Sequence, residues 1–273
     1  MTTDEASAKS LPERILEWLK SQGYPLEMRV ARDLRAAGFA VTQSDFYRDP
    51  HSSTTWREID VSARYVRMNR EGYGYRAVQY LAECKHPSRT PWILFAGGGG
   101  LAGPARVAQR IINSGSAQLL DRLAQRQDVQ TCSIFELAQH RAYGIRAALS
   151  DRSSTQDVPY QAVMAAASAA VAAADEADRI SRDGYFVLHL AMPVVVTDTP
   201  LFMCWLDERG DLVVEDIKEA DLVWRHGISG QPHTIVRILH SSQVAAWAQS
   251  SVDGTRAFLA AVDAHFEEQA VGE

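Results

Sequence analysis

Apolar and polar residues alternate most regularly between positions 56 and 86. In 56–66, Ile59, Val61, Ala63 and Tyr65 occupy every second position, with Glu58, Asp60, Ser62 and Arg64 between them. Residues two apart on a strand point the same way, so the pattern predicts a strand with Asp60 on its polar side. In 77–86 the apolar set is Val78, Tyr80, Ala82 and Cys84, and the opposite set is Gln79, Leu81, Glu83 and Lys85. The intervening stretch, with Asn69, Gly72 and Gly74, is rich enough in turn formers to reverse the chain. A reversal centred near Glu71 and Gly72 gives paired residues a constant number sum. It sets Asp60 opposite Glu83 and Glu58 opposite Lys85, side chains about 5 Å apart. A slip of one residue would abolish both pairings.

Upstream the period becomes helical. Val30, Ala31 and Leu34 follow Glu27 at offsets of three, four and seven, Pro25 stands near the first turn, and Gly38 comes just past the end. Glu27 therefore sits at the mouth of a buried stripe, where a carboxylate needs a cation or hydrogen-bond donors. Arg57 and Arg64 are the plain structural partners for it. Ser10-Leu11-Pro12-Glu13 reads as a capping box for an earlier helix ending before Gly23. Residues 39–48 read as a first strand.

After Lys85 the pattern loosens, and 86–157 is expected to be a helical insertion. The alanine, valine and methionine run of 162–174 predicts a helix packed closely on a sheet. Strands are expected at 185–197, 200–206 and 212–217, completing the sheet, and helices at 243–247 and 255–266. The expected organisation is one α/β domain over 10–269, between a flexible tail of 1–9 and a short tail of 270–273.

A helix glutamate, a strand aspartate and a Glu-x-Lys on the next strand, in this order, resemble the PD-(D/E)xK nuclease superfamily. The likeness covers residues 12–85, with Ile59 standing where the family motif has proline. It implies a restriction-endonuclease-like core, a mixed central sheet flanked by helices. It also implies that Asp60 and Glu83 bind Mg2+ or Mn2+, that Glu27 supports the metal or its waters, and that Lys85 orients or deprotonates the attacking water. Magnesium prefers a few hard oxygen ligands and keeps its waters, which suits carboxylates. Lys85, between two acids, should stay protonated, because opposite charges favour the ionised form. Glu58 is a weaker candidate. Gln161 is another, since it opens the helix that would follow the Glu-x-Lys strand in such a core.

The net charge of -6 speaks against a nucleic-acid partner only superficially, because the charge is unevenly spread. Residues 48–126 hold twelve Arg or Lys against six Asp or Glu, whereas 198–273 hold five against thirteen. The basic half contains the acids just named, as phosphate approach requires, and Arg57, Arg89 and Arg106 are its expected nucleic-acid contacts. The acidic C-terminal half could serve a protein partner or a homodimer. The expected function is thus a metal-dependent nuclease acting on nucleic acid, DNA first. The rivals are an inactive nuclease-fold binding or assembly module and an RNA-processing nuclease.

Other chemistry finds little foothold. No apolar run approaches the roughly 20 residues of a membrane span and no signal-peptide pattern opens the chain, so no membrane partner and a cytoplasmic location are expected. Cys84, Cys132 and Cys204 form neither a disulfide framework nor a zinc spacing. Gly98, Gly100 and Gly103 fit G-x-G-x-x-G after a short strand read over 92–95, but lack the second strand and acid that a dinucleotide site needs downstream. The segment reads better as a mobile loop over the substrate. His86, on the apolar side of its strand, is read as structural.

Overall fold

The structure is a computed structural model and describes residues 9–52, 54–68, 74–86, 90–97, 101–149, 157–181, 185–224 and 234–272. Two helices open it, α1 (Leu11–Lys20) and α2 (Tyr24–Ala37). Glu13 closes the expected capping box by accepting the Ser10 N–H at 2.7 Å. Gly38, at φ 109, ends α2 in a left-handed turn open chiefly to glycine. Then come β1 (Ala40–Arg48), β2 (Trp56–Met68) and β3 (Gly74–Lys85), an antiparallel meander.

The next segment is not the helical insertion expected. Residues 86–157 carry β4 (Trp92–Ala96) and β6 (Arg141–Ala147), both in the central sheet, and the two-residue β5 (Ile111–Ile112). The short helices α3 (Ala105–Ala108), α4 (Ala117–Leu123) and α5 (Gln127–Gln130) lie between β4 and β6. Helix α6 (Val158–Ser181) leads into β7 (Phe186–Thr197), which pairs in parallel with β3 from Gly74↔Phe186 to Lys85↔Thr197. Strands β8 (Leu201–Leu206) and β9 (Leu212–Ile217) follow. The sheet does not end there: β10 (Glu219–Trp224) and β11 (Thr234–His240) insert between β7 and β6. The long α7 (Val244–Gly272) closes the chain as one helix where two were expected, and it runs through the expected tail to Gly272.

The sheet order is β1-β2-β3-β7-β11-β10-β6-β4-β8-β9, with β5 beside β7, and it mixes parallel and antiparallel pairs. On one face α2, α7 and the short helices cover Val61, Ala63, Val78, Tyr80, Ala82 and their neighbours on β7. On the other face α6 lies across Ile59, Leu81, Ala191, Val195, Val236 and Ile238. Its buried positions are mostly alanine, which lets the helix sit close to the strands. The result is a helix–sheet–helix sandwich with apolar surface buried on both sides of the sheet, the main source of its stability.

Candidate active site

Strands β2 and β3 pair with the constant sum read from the sequence, from Met68↔Tyr75 to Val61↔Ala82. Asp60, the next residue, breaks the regularity. Ile59 packs with Tyr47, Leu81 and the alanines of α6, while Val61 and Ala63 pack on the α2 and α7 side. The expectation that Ile59 and Val61 share a face therefore fails, because β2 reverses its pleat at Asp60. Opposite this point on β1, between Gln43↔Val61 and Asp45↔Ile59, Ser44 takes a positive φ of 53. For a non-glycine residue that conformation is uncommon and stores strain.

The distortion frees the end of β3, and Asp60 closes it. Its Oδ2 accepts the backbone N–H of Cys84 at 2.6 Å. At the next residue, the Lys85 Nζ donates to Glu83 Oε1 at 2.5 Å. The Lys85 carbonyl is held in turn by the Thr197 hydroxyl at 3.0 Å, at the end of the β3–β7 ladder. The Glu83, Gln79 and Leu81 side of β3 does not face water: Glu83 is 7% and Gln79 8% exposed, beneath α6.

Electrostatics join the four residues singled out in the sequence. Burial pushes the Glu83 carboxyl up to about 7, with the Asp60 charge adding to it and Lys85 opposing it. Asp60 is also raised, mainly by burial, against the Cys84 N–H and Lys85. Glu27 is raised by burial and then by Asp60 and Glu58. For Lys85, burial lowers the ammonium, but Glu83 and Asp60 outweigh it and leave the group above the ordinary lysine value. It stays protonated, as its neighbours demand. Three partly or wholly buried carboxylates thus share one ammonium.

That donor set suits a divalent cation in kind. Its ligands are hard oxygens, and its excess negative charge is what a cation relieves. Cys84 offers no softer alternative, because burial raises its thiol well above the usual range. The side chains are not closed on a common point, however. Among the described residues, no three of His, Cys, Asp and Glu converge as metal ligands. One oxygen of Asp60 is held by the Cys84 N–H and one of Glu83 by Lys85, which leaves each carboxylate a second oxygen to offer.

Of the four, Glu83 and Lys85 line a cleft of about 610 Å³ together with Glu58, with Gln161 on α6 across from them, whereas Asp60 and Glu27 are not among its lining residues. Gln161, expected only weakly, is thus brought to the site, and exposed Glu58 lines the entrance. The sequence reading missed Asp49, His51, Tyr47 and Ser168, which also line the cleft. The signal for the first was present: Asp49-Pro50-His51 makes a turn in which the His51 N–H donates to Asp49 Oδ1 at 2.9 Å.

Two arginines expected to contact nucleic acid are otherwise engaged. Arg57 reaches the cleft but is ion-paired to Asp49 at 2.5 Å. Arg106 does not line the cleft; its guanidinium donates to the Gln130 carbonyl in the α3–α5 region. Arg89 lies outside the described residues, as do Gly98 and Gly100 of the expected loop. His86 is exposed just past β3, so its structural reading does not hold. No protein-family model, no curated protein and no solved structure matches the chain. Among the described residues, no helix is long and apolar enough to cross a membrane.

Proposed function

We propose that this chain is a metal-dependent nuclease with a restriction-endonuclease-like core, hydrolysing phosphodiester bonds in DNA. The observation that carries the reading is the shared environment of Glu27, Asp60 and Glu83. All three carboxyls are raised by burial and by negative neighbours, around the single ammonium of Lys85. Supporting it is a succession of elements interrupted only by the 92–147 segment: a helix bearing Glu27, a three-stranded antiparallel meander and, after that segment, helix α6 and a strand parallel to the third. Perturbed acids beside a cleft are a recurrent mark of catalytic sites.

Asp60 and Glu83 would hold Mg2+ or Mn2+, with Glu27 behind them. Such a cation, when bound, supplies neutralisation of phosphoryl charge and a more acidic water. The protein's own share falls to Lys85, Glu58 and Gln161. Lys85 keeps its proton and places a fixed positive charge in the cleft wall, where it attracts a phosphate and orients the attacking water. A free-base role conflicts with its raised pKa. Glu58 and Gln161, on facing walls, position what enters.

A second reading, a nuclease-fold module that docks a protein partner without cutting, has one observation in its favour. The edge strand β9 exposes Leu212 and Val214 at 74% and 56%, and the end of β8 beside it exposes Leu206 at 63%; unpaired edges are natural docking sites. Cleavage assays with Mn2+ on DNA and RNA separate the readings. Wild type should cut and Lys85→Met should not, by a factor of at least ~10². Binding without cleavage of either polymer would favour the docking module, and cutting confined to RNA would reassign the substrate.

A further inference from the structure

On the sheet face opposite α6, a second cavity of about 460 Å³ lies between β3, β7, α7 and the 133–139 segment. That size falls within the range of small-molecule sites, about 300–1,000 Å³. Tyr80, Arg110, Ser133, Arg237, Trp247 and Ser251 are among its lining residues. Arg110 is only 4% exposed, and its Nη2 has no hydrogen-bond partner among the described residues. The Nε of the same group donates to the Arg106 carbonyl at 3.1 Å, which fixes the guanidinium in place.

The nearby charges do not neutralise Arg110. Asp221, fully buried, is already committed: Arg237 binds both its oxygens, at 2.6 and 3.1 Å, and the Ala138 N–H donates to it at 2.7 Å. Glu136 is exposed, and the Glu219 side chain is 41% exposed and 3.6 Å from Arg237. One buried and one partly buried guanidinium group therefore face one buried carboxylate. Burial draws Arg110 down to about 10, still charged at neutral pH. The Tyr80 residue in the same cavity is 2% exposed, and among the described residues its hydroxyl makes no hydrogen bond of normal geometry, although the Thr255 and Ser251 hydroxyls lie near it. A buried charge without its own counter-ion and a buried hydroxyl without a well-formed hydrogen bond are both costly, and one oxyanion would satisfy both. A guanidinium fork is built for phosphate and carboxylate groups.

We propose that this cavity binds a small organic anion, through a phosphate or carboxylate group held by Arg110 and Tyr80, with Trp247 covering its apolar part. The site stands apart from the acidic cleft, because Tyr80 and Glu83 lie on opposite faces of β3. It does not depend on the nuclease reading.

The test is titration calorimetry on the full chain in EDTA, which keeps metal-bridged anions out of the acidic cleft. The probes are inorganic phosphate, deoxyadenosine monophosphate and citrate. One-site saturable binding of any of them is expected. A preference for the nucleotide would place a base against Trp247, and a preference for citrate would name a carboxylate ligand. Arg110→Met should weaken binding at least tenfold. Ala246→Glu, an exposed lining position on α7 where folding is not at stake, should weaken it about tenfold by placing a negative charge at the rim. No saturable binding up to about 10 mM, weaker than any specific site of this kind, would overturn the proposal. Affinities unchanged in Ala246→Glu and in folded Arg110→Met would do the same.

Discussion

Asp60 accepts the backbone N–H of Cys84 at 2.6 Å, one step beyond the last regular pair of β2 and β3, Val61 and Ala82. A side chain here replaces a ladder carbonyl, because β2 has turned its pleat over. Asp60 therefore has a structural duty that is separable from its proposed role as a metal ligand. Asp60→Asn keeps an acceptor oxygen and should melt close to wild type, yet lose at least ~10² in cleavage. Asp60→Ala should lose cleavage and about 1–2 kcal/mol of stability as well, because a buried N–H is left unpaired. Denaturant unfolding of the two variants beside wild type checks this. A cutting rate preserved in Asp60→Asn would remove Asp60 from the metal site.

The raised carboxyls make stability depend on pH in a direction opposite to ordinary ion-paired acids. Glu83 has a folded pKa of about 7 against an unfolded value near 4.5. Between these values the folded state binds more protons, so stability falls as pH rises through that window and stays low above it. Glu27 and Asp60, raised in the same direction, add to the trend. The metal-free protein should therefore melt higher at pH 5 than at pH 8, other groups being equal. Mn2+ should reverse the ranking, because a cation competes with those protons and favours the ionised acids. The Tm gain on adding Mn2+ should be large at pH 8 and small at pH 5. Equal gains at both pH values would mean that the ion binds elsewhere.

The part of the site legible in the sequence was the part governed by local periodicity. The constant sum from Met68↔Tyr75 to Val61↔Ala82 follows from where the turn residues stand, and the setting of Glu27 follows from the spacing of Val30, Ala31 and Leu34. The pleat reversal at Asp60 was not legible. Unbroken alternation was read through it, whereas Ile59 is drawn to the α6 side by contacts with Tyr47 and Leu81, which are distant in the chain. Strands β10 and β11 were missed for a related reason. They are buried between β7 and β6, so runs such as 220–224 show little alternation to read. Strand β4 follows the short strand read over 92–95, whereas β6 is a short piece that tertiary pairing rather than local pattern makes a strand.

Arg57 illustrates how a basic residue near a nucleic-acid cleft can be spoken for. Asp49, 6% exposed, holds it at 2.5 Å and lies below the usual carboxylate range, chiefly through that hydrogen bond. Arg57→Ala should thus leave the slope of log K against log salt for DNA binding within a fraction of one unit of wild type. Loss of a true phosphate contact would lower it by about 1. The cost should appear in folding, about 1 kcal/mol, since Asp49 loses its guanidinium partner and keeps its contact with the His51 N–H. A salt titration of binding, paired with a thermal melt, distinguishes the two roles.

Gly254 falls between the two C-terminal helices expected at 243–247 and 255–266, yet α7 passes through it without interruption. Packing, not flexibility, accounts for the glycine. A Cβ there would meet the Ser133 hydroxyl at 2.2 Å and the Ile134 nitrogen at 2.7 Å, so the 133–135 turn rests directly on the helix backbone. Four residues on, Phe258 is fully buried and meets Phe135 edge to face at 5.2 Å. Alanine favours an isolated helix over glycine by about 1 kcal/mol. Gly254→Ala should nevertheless destabilise, by roughly 1–3 kcal/mol, as overpacking does. Ser133→Ala removes the closest obstacle but leaves the Ile134 backbone, so the double variant should recover only part of the loss. Full recovery, or a Gly254→Ala protein more stable than wild type, would mean that α7 can shift away from the turn.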